Sequence, residues 1–543
     1  MKTIAHRYWI ALLLIIVTTS PGLAQQQRFN LKPKPKPKVL DTGKCEVKLL
    51  PPEIDQSWLA TELEKLRNRS PEELKQAQAI QTMGLDAVAL NQSIIKMHNL
   101  NPGYTNKLNT LPIKDQHQTG QCWDFSECTV QEMVSQGKLP AGSELSETYV
   151  WFYSLLEQGN LYFERIVQNA DSRLTAEVTR NLLTPSFSEG GEFAQYAAIV
   201  DIYGLVPKNL MPDTSGTVLA GQISKELFRQ MASTGSEMYQ AILDFRQSVS
   251  TSPSGELSNN QRTALLRARV KLSQDKSVEL EKKLREIKTK GMAAVLQILT
   301  DHLRTPPSSF ELPVDAQGRI VAKENAQKSG IKMKTFTPQE YRDYIGFKSQ
   351  DYVVVSSSPL QPYGQHFVFP GSTFGVPSED GKIKDLETLN LPIERLAELV
   401  KTSIDAKFPV WYGADAGNDI DNKSGIMHPD IRQYSEAYGK GPASKTPDLT
   451  RTELLYFRVG SPNHAMVFVG YDRPDPKSKQ AFVKALTQNS WGVRAGDNGF
   501  YHTYYEWFAK HVYEIVVPFS ILSDEEKALF KQKAKPIYQS DFY

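Results

Sequence analysis

After Thr335 the chain breaks into β-branched and aromatic runs cut by turn residues: DYVVVSSS, HFVFPG, FPVWYGADAG, HAMVFVGYD and AFVKALTQNSWG. Runs of this length bounded by Gly, Pro, Asn and Asp predict strands. Ahead of them the dominant period is helical. The stretch from about Ser57 to His98 is helical in pattern, with Ser70, Pro71 and Glu73 making a capping-box-like start. CWDFSECTVQEMVSQG predicts a helix from Cys122, with Trp123, Val130 and Val134 near one face and Gly137 as C-cap, and SELSETYVWFYSLLEQ continues as another. From about Val218 to Leu303 the pattern is long, charged and helical, broken near TSPSGELSNN, which predicts a helical hairpin. A helix-rich first half and a strand-rich second half make an α+β fold with a cleft where the two meet.

The 543 residues are 40% hydrophobic and 23% charged, enough apolar material for a sizeable core. A net charge of +2, from 63 basic and 61 acidic residues, argues against nucleic acid as a partner of the whole chain. Lys2 and Arg7 ahead of WIALLLIIV, with GLA at residues 22–24, read as an export signal over 1–24, so the expected location is secreted or periplasmic. The apolar run is too short to span a bilayer, and no later stretch is long and apolar enough, so no stable span is expected after signal removal. LKPKPKPKVL, within a linker over 25–56, predicts an extended spacer. The remainder, 57–543, reads as one domain carrying the helical insertion at about 215–305.

Three cysteines remain after export, Cys45, Cys122 and Cys128. An odd number in an oxidising compartment leaves one thiol free. Pairing Cys45 with Cys128 spares Cys122, while a buried helix cysteine is the commoner state of a residue placed like Cys128; both readings stay open. Cys122 falls where a polar loop turns into a helix. There the dipole and unsatisfied N–H groups favour a thiolate, and the thiolate is the nucleophilic form of cysteine.

Such a nucleophile needs a base. His464, at the head of the strand-like HAMVFVGYD, is modestly preferred to His366 in GQHFVFPG; His302, His428, His502 and His511 fall in helical or loop contexts. Asn489 in TQNSWG can approach His464 from the next strand and fix its tautomer, with Trp491 shielding that bond. Gln116, six residues before Cys122, can act with the Cys122 N–H as an oxyanion donor pair. No metal or cofactor is implied.

QHQTGQCWDFS, NHAMVFVGYD and QNSWG resemble the three catalytic segments of papain-like cysteine peptidases. The 342 residues from Cys122 to His464 and 367 to Asn489 far exceed the roughly 130–150 of ordinary papain-type enzymes. This points to the bleomycin hydrolase/aminopeptidase C branch, with its large helical insertions. Residues 189–214, 408–418 and 499–517 are similar to that branch as well.

The resemblance implies a papain-like fold, with Cys122 as nucleophile, His464 as acid/base, Asn489 as orienter and Gln116 as oxyanion donor. It also implies that Gly190 and Gly191 bind the substrate backbone. Thr119 replaces papain's disulfide cysteine. The expected activity is hydrolysis of peptide or protein substrates through a thioester acyl-enzyme, as an aminopeptidase. Alternatives are an endopeptidase with an open cleft, an inactive peptidase-like binding scaffold, or acyl transfer to an amine. Members of the branch place the C-terminal tail in the cleft and form hexamers, so a homo-oligomer is a further expectation.

Overall fold

The structure, a computed structural model, describes residues 54–170, 176–185, 187–249, 259–372, 385–440 and 442–543. The export signal, most of the Lys/Pro-rich linker and Cys45 lie outside the described residues. Residues 54–70, which include the helix Gln56–Arg67, group apart from the compact body that begins at Pro71.

That body is built on a twelve-stranded sheet. Its middle runs Tyr352–Ser356, Val512–Pro518, Val410–Ala414, His464–Asp472, Lys484–Gln488 and Phe500–Tyr504, each hydrogen-bonded to the next. The five predicted strands are all present. His464–Asp472 is buried at every position, as expected of a central strand covered on both faces. It takes Val410–Ala414 on one side, pairing Ala465 with Gly413, and Lys484–Gln488 on the other, pairing Val467 with Gln488. Val410–Ala414 in turn pairs Gly413 with Glu514 of the next strand. Ala465, Gly413 and Glu514 therefore form one row across three strands.

The helix Cys122–Val134 lies against this sheet, buried from Cys122 to Met133. Two hydrogen bonds fix its first turns: Ser126 Oγ donates to Ala465 O at 2.9 Å, and Trp411 Nε1 donates to Trp123 O at 3.2 Å. Both partners belong to strands far along the chain, so the helix cannot slide without unmaking the sheet contact. A buried ionic cluster secures the loop ahead of it, with Lys114 Nζ 2.7 Å from Glu132 and 2.5 Å from Glu147. Breaking one partner of such a pair strands a buried charge, at a cost of about 3–5 kcal/mol.

Two helix-level expectations are corrected. The C-cap is Ser135, with ordinary negative φ, and not Gly137, whose φ of +91° belongs to the following turn. Val134 is 40% exposed, off the packed face. The predicted helix after Ser146 runs Glu147–Gln168, its N-cap hydroxyl accepting from Tyr149 N. The long charged region forms two helices, Ala220–Val249 and Asn259–Leu303, joined by apolar residues such as Leu227, Met231, Leu284 and Val295. His502 sits in the strand Phe500–Tyr504, not in a loop. No helix among the described residues is long and apolar enough to cross a membrane.

Candidate active site

Cys122 is the first residue of its helix, after Gln121 as N-cap. Its thiol is pushed up to about 11, foremost by burial. The backbone N–H groups of Ala465, Trp123 and Cys122 itself pull in the other direction. The helix-start expectation of a depressed pKa is thus corrected for the thiol taken alone: desolvation outweighs the N–H groups. The involvement of the Ala465 N–H also places the sulfur beside the residue that follows His464.

His464 is 8% exposed. Its Nε2 bonds Asn489 Oδ1 at 2.8 Å, and an oxygen acceptor requires the proton on Nε2, leaving the lone pair on Nδ1. Trp491 stacks on the ring at 4.5 Å between centroids and 25° between planes. Burial lowers the imidazole to about 4, against the raising effect of the Asn489 bond. With Cys122 high and His464 low, neither group ionises readily by exchange with solvent. Moving the proton from sulfur to ring creates two opposite charges together, and each then supplies the partner that burial denies it.

His366, the rival imidazole, is committed elsewhere. Its Nδ1 lies 2.9 Å from Gln532 O, its Nε2 3.2 Å from Glu387, and its ring stacks on Phe530.

Gln116 is held at both ends. Its Nε2 donates to Thr119 O at 2.6 Å and its Oε1 accepts from Ser490 Oγ at 2.6 Å, which leaves the second amide hydrogen uncommitted by these bonds. Its backbone N–H reaches Ser490 O, and Asp115 bridges Trp491, so the loop before Cys122 is stitched to the segment that carries Asn489. Gly492, with φ of +74°, makes that approach possible, since a Cβ there would stand 2.7 Å from Asp115 Oδ2.

Gln116, Cys122, Gly190, Gly191, His464 and Trp491 line one cavity of about 560 Å³, and Asn489 stands behind His464. All seven residues singled out in the sequence therefore converge. The glycines differ in why they are glycine. A Cβ on Gly191 would come within 2.8 Å of the Trp123 indole, whereas one on Gly190 would meet only Ser188 Oγ at 3.4 Å.

Sequence reasoning missed three acidic residues here. Glu189 accepts from Gly120 N and Ser224 Oγ through its carboxylate, and from Trp123 Nε1 through its carbonyl. It thus ties the loop before Cys122 to the first long helix of the charged region. Glu192 and Glu514 line the cavity itself. For Glu514 a signal existed: one acid inside the apolar run HVYEIVV.

The Peptidase C1-like family model matches residues 53–252 and 244–541. The chain belongs to that family. This peptidase is 27% identical to aminopeptidase E of Lactobacillus helveticus, over 86% of this chain and 95% of that protein. It is 26% identical to aminopeptidase C of Lactobacillus delbrueckii subsp. lactis, over 85% and 91%. The crystal structure of PepW from Lactobacillus rhamnosis superposes with a TM-score of 0.72 and 22% identity, over 90% of this chain and 98% of that one. The fold is papain-like, and the chain is a cysteine-type peptidase of the bleomycin hydrolase/aminopeptidase C branch.

Proposed function

We propose that this peptidase is an aminopeptidase in which Cys122 is the nucleophile, His464 the acid/base, Asn489 the group that orients it, and Gln116 with the Cys122 N–H the oxyanion donors. The reading rests on one observation above all: a helix-start thiol and an imidazole held at 2.8 Å by a buried amide line the same cavity. Sγ gives its proton to His464 and attacks the scissile carbonyl carbon. The charge on the carbonyl oxygen is met by the oxyanion donors. The C–N bond breaks as His464 protonates the departing amine, leaving a thioester. Water, deprotonated by His464, then releases the acid and restores the thiol. Gly190 and Gly191 leave room for an extended substrate backbone beside the sulfur.

Aminopeptidase action is supported by the names of the relatives. An endopeptidase is the second reading, favoured by a specific observation: no residue after Glu514 is among those that line the cavity, although Tyr543 and Gln539 bond Glu514 and Glu192 at its walls. The same peptide with free and with blocked N-terminus separates the two, and fast cleavage of the blocked form removes the aminopeptidase reading. Cys122→Ala should abolish turnover with an unchanged melting profile, and iodoacetamide should label Cys122 near pH 6. An inert thiol there would favour a binding scaffold. Residues 1–24 are proposed as an export signal, which N-terminal sequencing of the mature protein tests.

A further inference from the structure

The cavity holds two carboxylates, and no lysine or arginine is among its lining residues. Glu514 is 3% exposed and reaches in from the sheet. Its Oε2 accepts from the Tyr543 hydroxyl at 3.1 Å, while its Oε1 stands over Gly413, 2.8 Å from where a Cβ would be. Glu192, which precedes the helix Phe193–Tyr203, faces the cavity from the other wall and accepts from Gln539 Nε2. Tyr543 and Gln539 belong to the end of the chain. That end is anchored by Phe542, fully buried against Phe367 and Phe369, and by Gln361 Nε2 donating to Asp541 O at 2.8 Å. Residues 539–543 therefore contact both side-chain carboxylates, Tyr543 at Glu514 and Gln539 at Glu192.

Two desolvated carboxylates in one cavity repel each other's charge, and burial with that repulsion raises Glu514 to about 8. Such an arrangement is costly unless a cation arrives to share it. The row Ala465, Gly413, Glu514 sets the scale. Two strand spacings come to about 10 Å, and extended peptide advances about 3.3–3.6 Å per residue. Once the reach of the glutamate side chain is subtracted, the cation sits within the first two residues on the amino side of the cleaved bond.

Resting on the peptidase reading, we propose that Glu192 and Glu514 form a receptor for a substrate ammonium group, set by the chain's own last residues, and that this pair selects what is cleaved. The ammonium is either a free α-amine or a lysine side chain.

Three peptides identical beyond the cleaved bond test it: one with a free N-terminus and leucine second from the bond, its N-acetylated form, and an N-acetylated form with lysine replacing that leucine. Products are read by mass spectrometry and kcat/KM is compared. At least one cationic peptide should be cleaved tenfold or more better than the neutral one. The advantage should fall below threefold in the Glu192→Gln/Glu514→Gln protein, with folding checked by melting and by thiol titration of Cys122. A preference for the free amine assigns the α-ammonium, and a preference for lysine assigns the side chain. Should the double variant not fold, Glu192→Gln alone should narrow the ratio, and the wild-type comparison stands without either variant. Equal cleavage of all three by wild type, or an advantage that survives in the folded double variant, overturns the proposal alone. Failure to cleave any of them overturns the peptidase reading with it.

Discussion

Gly191→Ala places one carbon 2.6 Å from Gln195 Oε1 and 2.8 Å from Cδ2 and Cε2 of Trp123. Neither neighbour is free to yield. Trp123 is 1% exposed, its Nε1 donates to Glu189 O at 3.0 Å, and its carbonyl accepts from Trp411 Nε1. Gln195 Oε1 accepts from Glu192 N at 3.0 Å. Overpacking of this kind costs about 1–3 kcal/mol, and weakening one of these hydrogen bonds adds about 1. Stiffening of the unfolded chain returns about 0.4–1 kcal/mol, so the expected net loss is about 2 kcal/mol. Trp123 follows Cys122 directly, and small displacements at a reacting centre are costly, so kcat/KM should fall roughly 10–100-fold. Gly190→Ala meets only an ordinary contact, and its stability should stay within about 1 kcal/mol of wild type, on the stable side. Urea unfolding of both variants beside wild type, with turnover of one free-amine peptide, measures the contrast. Equal stability of the two alanine variants would refute the packing argument.

Asn489→Ala removes the acceptor for His464 Nε2 but not the ring. Turnover should drop roughly 10–1000-fold and remain measurable, whereas loss as complete as in Cys122→Ala would show that the roles are misassigned. Alkylation of Cys122 should be nearly independent of pH through the neutral range in wild type, because His464 takes the proton. In His464→Ala the thiol must lose its proton to solvent, so the rate should rise about tenfold per pH unit towards about 11; matching profiles would separate the two groups. Phe542→Ala should destabilise by about 3 kcal/mol, read by denaturant unfolding, since the ring is fully buried against two phenylalanines. A change under about 0.5 kcal/mol would mean that the tail is not seated.

The α+β character was legible because β-branched runs and helical periods are local properties. So was the start of the helix at Cys122, where a polar loop meets an apolar run. The choice of His464 over His366 was not local. Both head apolar strands, and only the fold shows that Gln532 and Glu387 occupy one ring while Asn489 holds the other. Val134 and Gly137 went astray because a helix buried nearly all round carries no stripe to count from, and a glycine three residues beyond the last turn looks like a cap. Glu192 and Glu514 were invisible as a pair, since nothing in the spacing brings residue 192 to 514. The distinct reasons for Gly190 and Gly191 likewise required knowing that Trp123 lies beneath one of them.

The bond from Ser126 to Ala465 joins residues 339 apart in sequence. At about 5–20 residues per second on the ribosome, the helix bearing the sulfur waits roughly 20–70 s for the strand that completes its surroundings. Throughout that interval the nascent polypeptide has the cysteine but neither His464 nor Asn489, which follow it by 342 and 367 residues. On the roles proposed for these residues, hydrolytic competence is thereby deferred until the strands around His464 and Asn489 have been made, which keeps the half-made chain inert.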